Sequence, residues 1–317
     1  MPGADGSSAT VRKVRRVAAS ETTVKAGRRV VRISNPGKLL FPADGITKLD
    51  LAEYSVAVEP AMRPHVADRP LNVWRWNAGI DKPVVVQQEI PKGVPDWVRR
   101  VAVARRGKGG TVTHAVGGAQ VIVALAQFNC VTPHVWTARA DAPDRPDRLV
   151  FDLDPPDEDE RSHFPAIRAG ALELGDLLRE LGLVPFAMTS GSRGIHVVAP
   201  LRRRAHADEA RATAGTIAER VAERRPDELT TAWRKEKRGG RVLVDVARNT
   251  YAQTTVAPYA VRAIPGAPVA TPLDWDELED DDLHPRRWTL ANVPGRLEER
   301  DCPWRDLGRA ARVLPRL

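Results

Sequence analysis

The sequence has 317 residues, 42% hydrophobic and 28% charged, a composition typical of a soluble protein that buries a core. This length suggests one large domain or two smaller ones. No apolar run approaches the roughly 18 residues of a membrane span, and residues 1–32 lack the apolar stretch of a secretory signal. Two cysteines, Cys130 and Cys302, are too few for a disulfide framework or a cysteine-rich zinc site, so we expect a cytoplasmic protein without zinc.

The net charge of +8 is concentrated at the N-terminus. Residues 1–32 carry eight lysines and arginines against Asp5 and Glu21, which accounts for +6 of the total. We interpret residues 1–28, rich in small and polar side chains, as a disordered basic tail. A solvated tail and a DNA-binding arm both fit it, so the basic pI is weak support for nucleic-acid binding by the folded part.

Short strands and helices alternate from residue 29 to about residue 145. The apolar spacing predicts helices over 48–58 and 120–129 and strands over 30–33, 71–74 and 84–86. The turn Asn35-Pro36-Gly37 separates the first strand from the first helix. We assign this part to an N-terminal subdomain.

A second apolar pattern begins at 148–154, a strand that Pro155-Pro156 stops. An amphipathic helix over 167–181 follows, and Gly182 ends it. Further predictions are strands over 185–189, 195–200 and 241–246, a helix over 210–221, an exposed acidic loop or helix start over 274–282, and a C-terminal tail helix within 304–317. The mixture of strands and helices predicts an α/β (α+β) fold built of packed layers.

Asp152 and Asp154 end the strand at 148–154. Residues two apart on a strand point to the same face, where two carboxylates repel each other and are costly to desolvate. A divalent cation offsets both costs, and oxygen-only ligands suit Mg²⁺ or Mn²⁺. The alternative is a solvated strand end that leads into an acidic loop.

Asp245 lies inside the apolar run Val242-Leu243-Val244-Asp245-Val246. A carboxylate in such a run needs a partner or a solvent-facing edge, and Arg248 is a possible partner. Together with Asp152 and Asp154, it supplies the third carboxylate of a two-metal centre for phosphoryl transfer.

The segment Ser190-Gly191-Ser192-Arg193-Gly194-Ile195-His196 combines two glycines with a hydroxyl, a guanidinium and an imidazole. Glycines let the backbone approach a ligand, and the three polar groups suit a triphosphate. A plain glycine-rich hairpin with a packed histidine is the structural alternative. The segment is neither a Walker A loop nor a dinucleotide fingerprint.

In this order, the three motifs resemble those of the archaeo-eukaryotic primase superfamily, and more closely the polymerase domain of bacterial DNA ligase D and its stand-alone relatives. That family carries an Asp-x-Asp, a Ser-Gly-x-x-Gly-x-His and a later strand aspartate. Further matches over roughly 30–305 include 35–42, Thr47-Lys48, Arg75-Trp76, 95–98, Arg248-Asn249 and 257–262. The resemblance implies a primase-polymerase fold in a catalytic domain over 29–305. Its mixed central sheet, flanked by helices, would carry the active site in a core of about 146–270, with the N-terminal subdomain packed against it.

The resemblance implies a role for each matching residue. Asp152, Asp154 and Asp245 would be catalytic and would bind two Mn²⁺ or Mg²⁺ ions. The incoming triphosphate would be held by Ser190, Arg193, His196, Arg262 and Arg238. Lys38 and Lys48 match the pair that grips a 5′-phosphate at a DNA gap or break; without the family context they would be two surface lysines.

The resemblance also implies a function: template-dependent DNA or RNA synthesis that fills short gaps during non-homologous end joining, with a preference for ribonucleotides. Implied partners are gapped or broken duplex DNA with a 5′-phosphate, NTP and dNTP substrates, the end-binding protein Ku and a DNA ligase. We expect a monomer in the bacterial cytoplasm, associated with the nucleoid and not with a membrane.

The chain departs from the family pattern at two places. Arg193 stands where relatives often have a lysine, and Val85, Val86 and Gln88 stand where they often have two phenylalanines and a lysine. Valine has no ring face, so we expect weaker base stacking at the template.

Two other functions fit parts of the sequence. A phosphatase of the haloacid dehalogenase type also has an Asp-x-Asp after a strand, but usually has Thr or Val where this chain has Pro156. A non-catalytic DNA-end-binding module would use the basic tail with Lys38 and Lys48.

Overall fold

The structure, a computed structural model, describes residues 20–105, 109–157 and 159–317. Within these ranges, two six-stranded β-sheets are surrounded by helices, and two small two-stranded ribbons lie outside the sheets. The predicted tail up to residue 19 lies outside the described residues.

The first sheet is built mainly from the N-terminal half of the chain. Its strands are β5 (Pro70–Arg75), β6 (Val85–Gln87), β7 (Arg100–Ala104), β8 (Thr111–Val116), β9 (Cys130–Trp136) and β15 (Thr254–Val256). The order is β15-β9-β5-β8-β7, with β6 also pairing with β5, and all pairs are antiparallel. β15 therefore joins this sheet although it follows the predicted metal-binding strands in sequence.

The second sheet carries the three sequence motifs. Its strands are β10 (Arg148–Asp154), β11 (Phe186–Thr189), β12 (Ile195–Pro200), β13 (Leu229–Thr230), β14 (Val242–Asp245) and β16 (Pro272–Leu273), in the order β13-β14-β10-β12-β11-β16. β13 and β14 are parallel and the other pairs antiparallel, so the sheet is mixed, as predicted.

The remaining elements pack around the sheets. The ribbons are β1 (Glu21–Ala26) with β2 (Arg29–Ser34), and β3 (Leu39–Phe41) with β4 (Ile46–Thr47). The helices are α1 (Lys48–Ala57), α2 (Glu59–Val66), α3 (Ala119–Gln127), α4 (Glu160–Glu180), α5 (Ala207–Arg224) and α6 (Val293–Glu299), with 3₁₀ turns at Lys235–Lys237, Ala247–Asn249 and Trp275–Glu279. No helix in the described part of the chain has the length and apolarity needed to cross a bilayer.

Alternation along β10 explains how the second sheet is buried. Leu149, Phe151 and Leu153 pack into the core that includes α4 and α5, whereas Val150 faces the core of the first sheet. Because side chains alternate between the faces of a strand, Asp152 lies on the same face as Val150. The carboxylates thus point towards the space between the two sheets.

Two sequence predictions differ from the structure. Strand β1 lies inside the segment predicted as a disordered tail, because its pairing with β2 satisfies its backbone. Residues 304–317 form turns and an extended segment instead of a helix. Arg312 bonds through its backbone to Pro200 and Arg202 at the end of β12, and these bonds replace those of a helix.

Candidate active site

The register of three strands brings the predicted acidic residues together. On β10, Asp152 is the direct partner of Asp245 on β14 and of His196 on β12. Directly opposed residues on neighbouring strands point to the same face, and Asp154 follows two positions later on that face. One carboxylate oxygen from each of the three aspartates lies within 4.8 Å of the other two. The three aspartates therefore lie close together, as the sequence predicted.

The electrostatics of this triad fit a divalent cation. Burial and the charge of Asp152 raise the pKa of Asp154 to about 7, and burial followed by the same charge raises the pKa of Asp245 despite a hydrogen bond from the Ala247 N–H. Burial also acts to raise the pKa of Asp152, but the attraction of His196 and two arginines lowers it overall. Although His196 Nε2 lies 3.2 Å away, the buried Oδ1 of Asp152 accepts no hydrogen bond of good geometry from the residues that the structure describes. Three closely spaced carboxylates provide the oxygen ligands that Mg²⁺ or Mn²⁺ prefers, and a bound cation would offset their mutual repulsion.

The Ser190–His196 loop forms a tight turn against β10. Ser190 Oγ accepts hydrogen bonds from the N–H groups of Ser192 (3.2 Å) and Gly194 (3.0 Å). A Cβ atom on Gly194 would lie 2.0 Å from the carbonyl oxygen of Leu153, and Gly191 has a φ of 64°. The glycines therefore allow both the turn and its close approach to the strand that carries the acids.

His196 connects the triad to the first sheet. Its Nε2 lies 3.2 Å from Asp152 Oδ1, and its Nδ1 lies 3.3 Å from Thr255 Oγ1 on β15. The imidazole is 4% exposed. It is thus fixed from both sides, one contact coming from each sheet.

A cavity of about 200 Å³ opens beside the triad. Asp152, Asp154, Ser190 and His196 line it together with three arginines, Arg193, Arg248 and Arg262. The Arg262 guanidinium donates to the Ser190 carbonyl oxygen at 3.2 Å. The structure therefore brings four of the five predicted triphosphate residues, Ser190, Arg193, His196 and Arg262, to one cavity with Asp152 and Asp154.

Arg238 is the exception. It is not among the described residues that line the cavity, and its guanidinium donates to the carbonyl oxygens of Ala232 and Trp233 in its own loop. These contacts give Arg238 a structural role in that loop, and its predicted contact with the triphosphate stays a prediction.

Sequence reasoning missed one wall of the cavity. Trp74 on β5 stacks on His134 on β9 with ring centroids 4.3 Å apart and planes at 24°. Burial and the charge of Arg262 lower the pKa of His134 to about 3, so this ring is neutral. The two residues are 60 positions apart on different strands, and no local pattern could have paired them. Arg248 was noted only as a possible partner of Asp245 and as part of the family resemblance.

The two predicted 5′-phosphate residues lie next to each other, away from the described lining of this cavity. The backbone N–H of Lys48 donates to the Lys38 carbonyl oxygen, and Lys38 Nζ contacts the Asn77 carbonyl oxygen. Lys48 is buried, and its Nζ donates to the carbonyl oxygens of Ser34 (2.7 Å) and Gln127 (3.2 Å). Burial and the charge of Lys38 lower the pKa of Lys48. The pairing matches the prediction, whereas their binding of a phosphate stays a prediction.

The family model described as the LigD primase-polymerase domain matches residues 47–304. The chain belongs to this family. Among solved structures, the polymerase domain of Mycobacterium tuberculosis ligase D in complex with DNA is similar, with a TM-score of 0.80 and 32% identity over 88% of this chain and 98% of that one. Membership confirms the predicted fold and the class of enzyme, a nucleotidyltransferase, and gives the phosphatase alternative no support.

Curated members of the LigD family match as well. The multifunctional non-homologous end joining protein LigD of Mycobacterium bovis is 34% identical over 80% of this chain, and the bifunctional LigD of Bacillus subtilis is 28% identical over 86% of it. The chain spans 34% of the M. bovis protein and 43% of the B. subtilis protein. The similarity thus concerns one part of these longer proteins.

Replacing Asp154 with Asn should stabilise the metal-free protein at pH 8 but change its stability little at pH 4. The pKa of Asp154 is raised from 3.8 to about 7 in the folded state, so folded Asp154 holds its proton more tightly than the unfolded chain does. Wild-type stability therefore falls as pH rises through that window, whereas Asn does not titrate. Urea unfolding in EDTA at both pH values measures this. An equal effect at pH 4 and pH 8 would contradict the raised pKa of Asp154.

Proposed function

We propose that this chain adds nucleotides to a DNA primer strand under the direction of a template, in the repair of DNA gaps and breaks. The observation that carries the proposal is the convergence of three carboxylates within 4.8 Å beside a cavity lined by three arginines. Acids and cations at this spacing suit the transfer of a nucleotidyl group from a triphosphate. The names of the curated relatives support a role in non-homologous end joining.

Asp152, Asp154 and Asp245 are the residues that would hold two Mn²⁺ or Mg²⁺ ions. Such ions, when bound, supply a lowered pKa for the primer 3′-hydroxyl and neutralise the charge of the leaving pyrophosphate. The protein needs no separate general base for this chemistry. Its own contribution is to position the reactants and to stabilise charge.

The arginines and the Ser190–His196 loop would bind the triphosphate. Arg262 is held by the Ser190 carbonyl oxygen, so its guanidinium is oriented before the nucleotide arrives. His196, fixed between Asp152 and Thr255, would keep Asp152 in its place across the sheet. Because Ser190 and His196 are buried and Arg262 is held by a hydrogen bond, little reorganisation of these groups is needed when the substrate binds.

The finer parts of the proposal concern substrates and partners. We propose a preference for ribonucleotides, binding to gapped or broken duplexes with a 5′-phosphate, and cooperation with Ku and a DNA ligase. We also propose that the protein works in the cytoplasm at the nucleoid. Val85 and Val86, 46% and 53% exposed on β6, would support the template base in place of aromatic rings.

Primer extension on gapped, overhanging and unprimed templates tests the proposed function. We expect addition to gapped and overhanging substrates with Mn²⁺ or Mg²⁺, and faster addition of ribonucleotides than of deoxyribonucleotides. No addition to any substrate with either ion would overturn the proposal, and equal rates for both sugars would overturn the ribonucleotide preference.

Replacing Lys38 with Gln should weaken binding to a gap that bears a 5′-phosphate by about tenfold, the effect of one lost charge-assisted hydrogen bond. Binding to the same gap without the phosphate should change little. Lys38 is the better test residue because Lys48 is buried and holds two carbonyl groups, so its loss would also destabilise the fold. Fluorescence anisotropy with both DNAs measures the ratio, and Lys82→Gln, an exposed lysine, is the control. Equal weakening on both DNAs would contradict the phosphate pocket.

A further inference from the structure

A second cavity, of about 580 Å³, opens at the end of β10 opposite the acidic triad. Arg148 begins β10 and lines this cavity, whereas Asp154 ends the strand at the triad. At about 3.3 Å per residue, the two ends are roughly 20 Å apart. The cavity is therefore separate from the proposed site of nucleotide transfer.

The charge of this cavity is strongly unbalanced. Seven arginines and one carboxylate, that of Asp147, are among its described lining residues. Four of the arginines lie nearer the rim, and three of those four pair with carboxylates outside the lining: Arg203 with Asp141, Arg305 with Asp301 and Asp306, and Arg309 with Asp306. The imbalance is therefore greatest at the base.

Three guanidinium groups share the single carboxylate at the base. The nitrogens of Arg69, Arg139 and Arg148 lie 2.7, 2.9 and 3.7 Å from the Asp147 oxygens. Arg69 is 1% exposed and Arg148 2% exposed. Arg139 is 37% exposed and also lies 4.0 Å from an oxygen of Asp68. Buried charges are costly unless they are paired, so Arg69 and Arg148, which share Asp147, lack about one unit of negative charge.

Arg148 is the least satisfied member of the cluster. Its Nη2 donates to the His65 carbonyl oxygen at 3.3 Å, but its buried Nε, 3.7 Å from Asp147 Oδ1, has no hydrogen-bond partner among the described residues. Burial and the charge of Arg69 lower the pKa of Arg148 to about 9. The buried Nδ1 of His65, another lining residue, also has no hydrogen-bond partner in the described part of the chain. Two residues that line this cavity, His65 and Arg148, thus each have a buried nitrogen without a hydrogen-bond partner among the described residues.

We propose that this cavity is a second anion site that binds a doubly charged phosphate group, supplied by inorganic phosphate or pyrophosphate or by a terminal phosphate of DNA. A phosphate monoester carries about −1.5 to −2 charges, enough to offset the deficit at the base together with the charge of Arg202 at the rim. Its oxygens can accept several guanidinium hydrogen bonds at once. Pro64, Leu201 and Trp304 provide apolar walls for the rest of a larger ligand.

Pyrophosphate binding measured by isothermal titration calorimetry, without divalent ions, tests the site. The Arg193→Ala background is used so that the proposed triphosphate site is weakened. We expect binding in this background, at least about tenfold weaker binding after Arg148→Met, and weaker binding after Arg202→Glu at the exposed rim. Arg220→Glu, the same change at an exposed arginine of α5 away from the cavity, should bind as the background does.

A second measurement distinguishes the two sources of phosphate. Duplex DNA with and without a terminal phosphate is titrated into the wild type, R202E and R220E. If R202E loses binding to the duplex with a terminal phosphate but not to the duplex without it, a DNA phosphate is the ligand. If R202E loses only the binding of pyrophosphate, the free anion is the ligand. If R148M does not fold, the comparison of R202E with R220E decides. Equal binding of both ligands by R202E and R220E would overturn the proposal.

Discussion

Replacing Asp152 with Ala should reduce primer extension by about a thousandfold, equivalent to about 4 kcal/mol of lost transition-state stabilisation. Asp152 is the central member of the triad, since its strand neighbours are Asp245 on one side and His196 on the other. The variant should remain folded, because removing Asp152 relieves its repulsion of Asp154 and Asp245, which adds to burial in raising the pKa values of both. Single-turnover extension and thermal unfolding measure the two effects separately.

Asp96→Ala provides the matched control, because Asp96 is an exposed aspartate that lies outside the described lining of the triad cavity. It should extend primers at the wild-type rate. If D152A retained full extension, the metal-binding role of the triad would be wrong. DNA binding should be kept in D152A, which also distinguishes the catalytic function from a DNA-end-binding module without activity.

Replacing Gly194 with Ala should destabilise the protein by about 3 kcal/mol and abolish extension. The added Cβ atom would lie 2.0 Å from the Leu153 carbonyl oxygen, which is backbone of the strand that carries the acids and cannot move aside cheaply. The Ser190–His196 loop would then have to shift away from β10, and with it Ser190 and Arg193. Urea unfolding and primer extension measure the outcome.

Gly215→Ala is the control for this substitution. Gly215 lies inside α5, and a Cβ atom there would meet no atom within 4 Å. Because alanine favours helix more than glycine, G215A should stabilise the protein by about 0.5–1 kcal/mol and leave extension unchanged. Equal stability of G194A and the wild type would show that the loop does not need its close contact with β10.

The elements with strong local patterns were predictable from the sequence. The apolar spacing at Ile167, Ala171, Leu174 and Leu178 predicted a helix, and all four are fully buried in α4. The helix begins seven residues earlier than predicted, at 160, because Asp159 caps it through the Ser162 N–H. The run at 148–154 was predicted as a strand with these same bounds, since its apolar side chains and its stop at Pro155-Pro156 are both local signals.

The triad was predictable as a set of residues, but its geometry depends on strand register. Nothing local to Asp245 indicates that it pairs with Asp152, 93 positions earlier. The same limit explains the missed stack of Trp74 on His134, which depends on the pairing of β5 with β9. The burial of Lys48 was also not visible, because its carbonyl partners come from distant segments. Long-range pairing, which propensity does not encode, decides each of these cases.

Strand β15 has a consequence for any attempt to exchange parts between relatives. It follows the acidic strands in the chain, yet it pairs with β9, and its Thr255 holds His196 from the opposite sheet. A chimera that joins the N-terminal part of one relative to the C-terminal part of another, at a point between β9 and β15, would combine β9 of one parent with β15 of the other. Such a hybrid would alter the support of His196 even if all three aspartates were kept. Functional crossover points should therefore lie where β9 and β15 come from the same parent.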